Sequence, residues 1–137
     1  YLMISLIKGV VESGTGIGLR YKYNFDNEIA GKTGTTQNHS DGWFMGIVPQ
    51  MVTGVWVGGD DRSIHFRTLE LGQGARMALP IWAIYMKKIY NDKKLNIKKD
   101  AKFEKPKNFS INLDCNEIEQ EVTKKKNKKK VIHNFDN

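Results

Sequence analysis

Apolar and polar positions recur along this chain with more than one period, and each period predicts a different element. Residues 2–12 set Leu2, Leu6 and Val10, with Ile7 and Val11, on one helical stripe. The "SGTGIG" that follows ends that helix, because glycine supplies the backbone freedom of a C-terminal turn. "LRYKYNF" alternates briefly and reads as extended, and "IAGKTGTT" reads as a strand despite its two glycines. "GWFMGIV" and "MVTGVWVG" are rich in β-branched and aromatic residues and flank Pro49-Gln50, which predicts a hairpin. Trp43, Met45 and Ile47 fall on one face of its first arm, and Phe44 and Val48 on the other. In the second arm Val55 and Val57 oppose Val52 and Trp56. A sheet that is apolar on both faces calls for cover on both. From Gly74, the spacing of Ala78, Trp82 (or Ile81), Tyr85 and Ile89 predicts a helix that ends near Tyr90. Pro80 is expected in its first turn, where a missing N–H costs little.

Beyond residue 90 the pattern fades. Lys, Asn, Asp and Glu dominate, so the chain divides into a folded portion, 1–90, and a polar, Lys-rich tail, 91–137, expected to be largely disordered. Within the tail, "FSINLDCNEIEQEV" has enough apolar character for a short strand or helix. The net charge of +7 follows the same division: nine basic and seven acidic residues lie in 1–90, thirteen and eight in 91–137. The run Lys124 to Lys130 holds six lysines. No aromatic residue interleaves with it, so nucleic-acid binding is not expected; screened attraction to an anionic membrane surface or wall polymer is the alternative to simple solvation. Cys115 is the single cysteine, which excludes an internal disulfide. No run approaches the roughly 18 apolar residues of a membrane span. The length suits one compact domain, but the first residues already carry a helical rhythm and there is no initiator Met, so a fragment or truncated product is expected.

The stretch "EIAGKTGTTQNHSDGWF" carries the candidate chemistry, and two readings compete for it. A phosphate loop, G-x-x-x-x-G-K-[ST], requires a glycine where this chain has Asp26, and a helix after the lysine where this chain has "GTTQNHSDGW". "SGTGIG" follows a helix, whereas a dinucleotide fingerprint follows a strand. The other reading takes Lys32-Thr33-Gly34 as a unit. On a strand, Thr33 and Thr35 share a face and Lys32 points the other way. Gly34 leaves room for close approach to the backbone. At a sheet edge, two hydroxyls, free N–H groups and an ammonium suit an anionic substrate whose carbonyl is attacked.

The order "VVESGTG", "IAGKTGTT", "DGWFMGIVPQMVTGVWVGGDD", "ALPIWAIYM" resembles the C-terminal part of the transpeptidase domain of class A penicillin-binding proteins, the bifunctional peptidoglycan synthases. The resemblance covers about residues 1–88. It implies an α/β (α+β) fold of the penicilloyl-serine transpeptidase/β-lactamase type, an antiparallel sheet flanked by helices, of which this chain is the C-terminal fragment. It implies that Lys32 supports the proton network at an active serine. It implies that Thr33 and Thr35 bind the carboxylate of a D-alanyl-D-alanine stem peptide or a β-lactam. The N–H of Thr35 would be one of two oxyanion donors. It places the parent at the extracytoplasmic face of the inner membrane, held by an N-terminal anchor outside this chain, with a glycosyltransferase domain upstream. The same fold without the serine would serve as a wall-binding or scaffold module, and a basic nucleic-acid-binding protein is the reading from another class.

That family also needs S-x-x-K and then S-x-N ahead of K-T-G. "SLIK" at Ser5–Lys8 lies too close to Lys32, and "SIN" at Ser110–Asn112 comes after it. Both are read as chance matches, so this chain alone is expected to be inactive. His39 follows K-T-G in a turn and is read as a solvated loop residue sooner than a substrate contact. His65 and His133 form no ligand cluster with it, so neither metal nor cofactor is expected. Asp60-Asp61 reads as a turn or cap, and Asp41 as a bond to the turn backbone. Trp43, Trp56 and Trp82 are expected in the core.

Overall fold

The computed structural model describes residues 1–113; Cys115, Lys124–Lys130 and His133 lie outside them, and so does most of the "FSINLDCNEIEQEV" segment. Helix α1 spans Leu2–Glu12 and a single helical turn, α2, spans Gly18–Tyr21. Three strands follow: β1 (Ala30–Thr35), β2 (Asp41–Val48) and β3 (Met51–Gly58). A short α3 (Leu69–Gly72) leads into the long α4 (Gly74–Asn91). The sheet is antiparallel in the order β1-β2-β3, with β1 at an edge. The fold is therefore α+β, a three-stranded antiparallel sheet with helices.

Strand register decides which side chains reach the core. Gly31, Thr33 and Thr35 pair with Gly46, Phe44 and Gly42, and these in turn with Thr53, Val55 and Val57, so all share one face. Helix α4 packs on that face. A Cβ at Gly46 would run into the Trp82 indole, and one at Gly42 into Met77 and Gly74, so these two glycines let the helix approach. Trp82 is fully buried, meets Phe44 edge-on at 5.2 Å, and donates its indole N–H to Thr53 Oγ1 at 2.6 Å. Val11, Leu19, Phe25, Ile29, Leu79 and Met86 complete the core.

The opposite face departs from expectation. Trp43, Met45, Val52 and Trp56 are exposed, and among the described residues the helices pack on the other side. Trp43 and Trp56, opposite each other in the ladder, pack together with centroids 6.4 Å apart instead of entering the core. Of the three tryptophans only Trp82 is a core residue.

Other differences have local causes. "LRYKYNF" is not extended: its first residues form α2, with Leu19 fully buried. The Arg20 guanidinium donates to the carbonyls of Phe25 and Asn27, each at 2.8 Å, and folds the segment back on itself. In α1 the covered side carries Ile4, Ile7 and Val11, while Leu2 and Leu6 are exposed. Pro80 lies in the interior of α4, not in its first turn. Its missing N–H removes the bond to the Arg76 carbonyl, a loss offset by the burial of Met77, Ala78, Leu79, Trp82, Ala83 and Met86. Ile81 and Tyr85 point outward.

The compact unit also runs past the expected boundary at residue 90, to Lys105. Three side chains of the body hold this extension. Gln50 accepts the N–H of Lys98 at 2.7 Å, Glu28 accepts that of Phe103 at 2.8 Å, and Asp26 pairs with Lys99 at 2.6 Å. Composition missed this because the contacts are polar, not apolar.

Candidate functional site

Residues 32–35 occupy the edge strand. Lys32 pairs with Met45 on the exposed sheet face, while Thr33 and Thr35 lie on the face that α4 covers. The N–H of Thr36 bonds the Asp41 carbonyl at 3.1 Å. In an antiparallel ladder such bonds fall on alternate residues, so the N–H groups of Thr33 and Thr35 point away from β2. No strand pairs with that outer edge among the described residues. The Lys32 ammonium bends to the same edge and donates to the Thr33 carbonyl at 2.8 Å.

Each threonine hydroxyl has a partner behind it. Thr33 Oγ1 lies 2.8 Å from Thr15 Oγ1, in the loop that ends α1. Thr35 Oγ1 accepts the N–H of Gly74, the first residue of α4, at 3.1 Å. The positive end of an 18-residue helix thus faces Thr35. Gly74 is fixed by its surroundings, since a Cβ there would collide with the carbonyls of Gly34 and Trp43. Gly34 opens no free space on the other face; its absent Cβ would stand 3.2 Å from the Trp43 Cβ.

The turn after β1 is tied by Asp41. Its carboxylate accepts from the Thr36 hydroxyl at 3.0 Å, the Trp56 indole N–H at 3.0 Å and the Ser40 hydroxyl at 3.2 Å. Its own N–H donates to Thr36 Oγ1 at 2.9 Å. The carboxylate therefore binds side chains, not the turn backbone as the sequence suggested. Desolvation pushes the carboxyl up, but the bonds from Thr36, Trp56 and Ser40 and the charge of Arg62 outweigh it and hold it below the usual range. Asn38 and His39 are both left-handed, with φ of 58° and 56°. His39 is not a solvated loop residue: its Nδ1 is buried, and its Cβ occupies the space a side chain on Gly72 would need. Asp61 accepts the N–H of Ser63 at 2.8 Å, the expected turn role.

In the S-x-x-K match, the Lys8 ammonium is taken by Glu28 at 2.9 Å. A cavity of about 610 Å³ opens between the end of α1, α2, α3 and the start of α4. Thr15 and Gln73 line it, but Lys32, Thr33 and Thr35 do not, so the candidate residues of the edge strand lie outside this cavity. Among the described residues no group of three His, Cys, Asp or Glu side chains is placed to hold a metal, and no helix is long and apolar enough to cross a membrane.

An antiparallel sheet with helices is the architecture that the resemblance to class A penicillin-binding proteins implied, and the comparisons with known proteins bear the resemblance out. The chain is 43% identical over 84 residues to penicillin-binding protein 1A of Aquifex aeolicus, which is 61% of this chain and 11% of that protein. It is 39% identical over 87 residues (64% of this chain, 10% of the relative) to penicillin-binding protein 1A of Neisseria meningitidis. It is 40% identical over 97 residues (70% and 11%) to that of Pseudomonas aeruginosa. No protein-family model matches the chain. Over these residues the chain is a relative of the penicillin-binding proteins 1A, and it spans about a tenth of their length.

Proposed function

We propose that this chain supplies the Lys-Thr-Gly wall and the C-terminal part of a serine D,D-transpeptidase that cross-links peptidoglycan at the extracytoplasmic face of the bacterial membrane. The supporting observation is the edge strand itself. Thr33 and Thr35 present hydroxyls from one face, their N–H groups point off the sheet, and the Lys32 ammonium bends to the same edge. The two hydroxyls bind the carboxylate of a D-alanyl-D-alanine stem peptide or a β-lactam. The Thr35 N–H is one oxyanion donor, placed where negative charge develops on the attacked carbonyl. Lys32 supports proton movement at the serine.

The nucleophilic serine, its lysine and the S-x-N wall belong to sequence outside this chain. The serine oxygen forms an ester with the attacked carbonyl as the C–N bond breaks, and the proton passes to the leaving nitrogen. An amine of a neighbouring stem peptide then resolves the ester. We do not assign Ser5 that role: it lies close to Lys32 in sequence, and the pairing of Lys8 with Glu28 at 2.9 Å supports reading its motif as a chance match. The 137-residue chain alone should therefore give no covalent adduct with penicillin, as intact-mass measurement would show.

The test places this chain's matching segment in the penicillin-binding protein 1A of Aquifex aeolicus. The chimera should be acylated by a fluorescent penicillin. A folded chimera that is not labelled overturns the proposal.

A further inference from the structure

We infer that Thr15 is a positioning residue for carboxylate recognition: its hydroxyl donates to Thr33 Oγ1 and so turns the Thr33 proton toward the substrate anion. This rests on the proposed function, but on separate residues. Thr15 lies in the turn that ends α1, 18 positions before Thr33, and the two hydroxyl oxygens are 2.8 Å apart.

A hydroxyl carries one proton and two acceptor sites. Within the Thr15–Thr33 pair only one of the two protons can lie between the oxygens. If Thr33 donates to Thr15, its proton is spent inside the protein and an incoming carboxylate meets lone pairs. If Thr15 donates, the Thr33 proton is free to bind the anion. A bound carboxylate selects the second arrangement, because donation to an ionised acceptor is roughly twice as strong as a neutral hydrogen bond. Thr35 is prepared in the same sense. Its oxygen accepts the N–H of Gly74, a group that cannot reverse its role, so the Thr35 proton is not spent in that bond and stays available to an anion. Two hydroxyls, each loaded from behind by a donor, form one anion-directed pair.

Thr15 is held for this task by backbone, not by packing. It is exposed. The N–H of Gly16 bonds the Val10 carbonyl at 2.8 Å and that of Ile17 bonds the Gly14 carbonyl at 3.1 Å, closing the turn on both sides of Thr15. A Cβ on Gly14 would stand 2.9 Å from the Val10 Cα, so only glycine lets the turn close this tightly.

The experiment uses the Aquifex aeolicus chimera and compares acylation by benzylpenicillin with acylation by its methyl ester, which lacks the anion. Thr15→Val should slow benzylpenicillin about tenfold, the upper end of the scale for the neutral hydrogen bond it removes, and leave the ester within about twofold. Thr15→Ser, which restores the hydroxyl, should return benzylpenicillin to within about threefold of the parent. Equal slowing of both compounds would mean that Thr15 only shapes the loop, and would overturn the inference. So would no slowing of either, or a Thr15→Ser variant as slow as Thr15→Val. Failure of the unsubstituted chimera to be labelled falls on the proposed function instead. A Thr15→Val protein that still reacts normally with the ester has folded, so the carboxylate-specific loss remains readable.

Discussion

Thr35 Oγ1 accepts the backbone N–H of Gly74 at 3.1 Å, which joins the edge strand to the first turn of the helix that covers the sheet. The bond requires Gly74 to press onto the β1–β2 ladder, where a side chain would meet the carbonyls of Gly34 and Trp43. Gly74→Ala gains helix propensity, about 1 kcal/mol, yet here it must push α4 off the sheet. Overpacking of this kind costs about 1–3 kcal/mol or more. Urea denaturation of the 137-residue chain should show a lower midpoint for Gly74→Ala; an unchanged or raised midpoint would mean that α4 does not sit this close.

Glu28 makes stability depend on acid pH. Burial pushes its carboxyl up, but the N–H of Phe103 and the ammonium of Lys8 outweigh this and hold it below its ordinary value of 4.5. A carboxyl depressed on folding contributes stability that is present above the unfolded-state pKa and is lost as pH falls through the lower, folded-state value. The wild-type chain should therefore weaken on acidification below about pH 4.5. Glu28→Gln should be less stable at pH 7 by about 1–2 kcal/mol and less sensitive to acid. Parallel denaturation curves at pH 7 and pH 3 check this; identical pH slopes for the two proteins would remove Glu28 from the linkage.

The tryptophans divide by environment. Trp82 is fully buried, while Trp43 and Trp56 are 43% and 46% exposed. Acrylamide should quench wild-type fluorescence strongly, and a variant with Trp43→Phe and Trp56→Phe should retain a quench-resistant emission from Trp82. Trp82→Ala should cost about 3–5 kcal/mol, as for other large buried aromatics. Comparable quenching in the wild type and the double variant would contradict the one-sided sheet.

Much of this was legible in the sequence. The hairpin, the Lys-Thr-Gly strand, α1 and α4 announced themselves because period and residue type agree along each element. What periodicity could not give was which apolar face is covered. Trp43 and Phe44 look equally suited to a core, and only the small residues Gly42 and Gly46 single out the side on which α4 can lie. Pro80 misled for a related reason: the start of α4 is set by Thr35, far away in sequence, not by local capping. The turn in α2 depends on Arg20 reaching ahead to Phe25 and Asn27. At the site, the alternation of Lys32 against Thr33 and Thr35 could be read directly. The partners Thr15 and Gly74 could not, although "SGTG" was visible as a helix stop, since no local rule links a turn hydroxyl to a strand residue 18 positions later.

The most direct measurement is stopped-flow acylation of the chimera and its Lys32→Ala variant by a fluorescent penicillin. On the proposed role of the Lys32 ammonium in supporting the reacting serine, its removal should cost about 3–4 kcal/mol, or about 10²–10³-fold in acylation rate, comparable to loss of an oxyanion donor. A folded Lys32→Ala chimera acylated within about threefold of its parent would contradict the role of Lys32 and, with it, the Lys-Thr-Gly wall as the chemical centre of this chain.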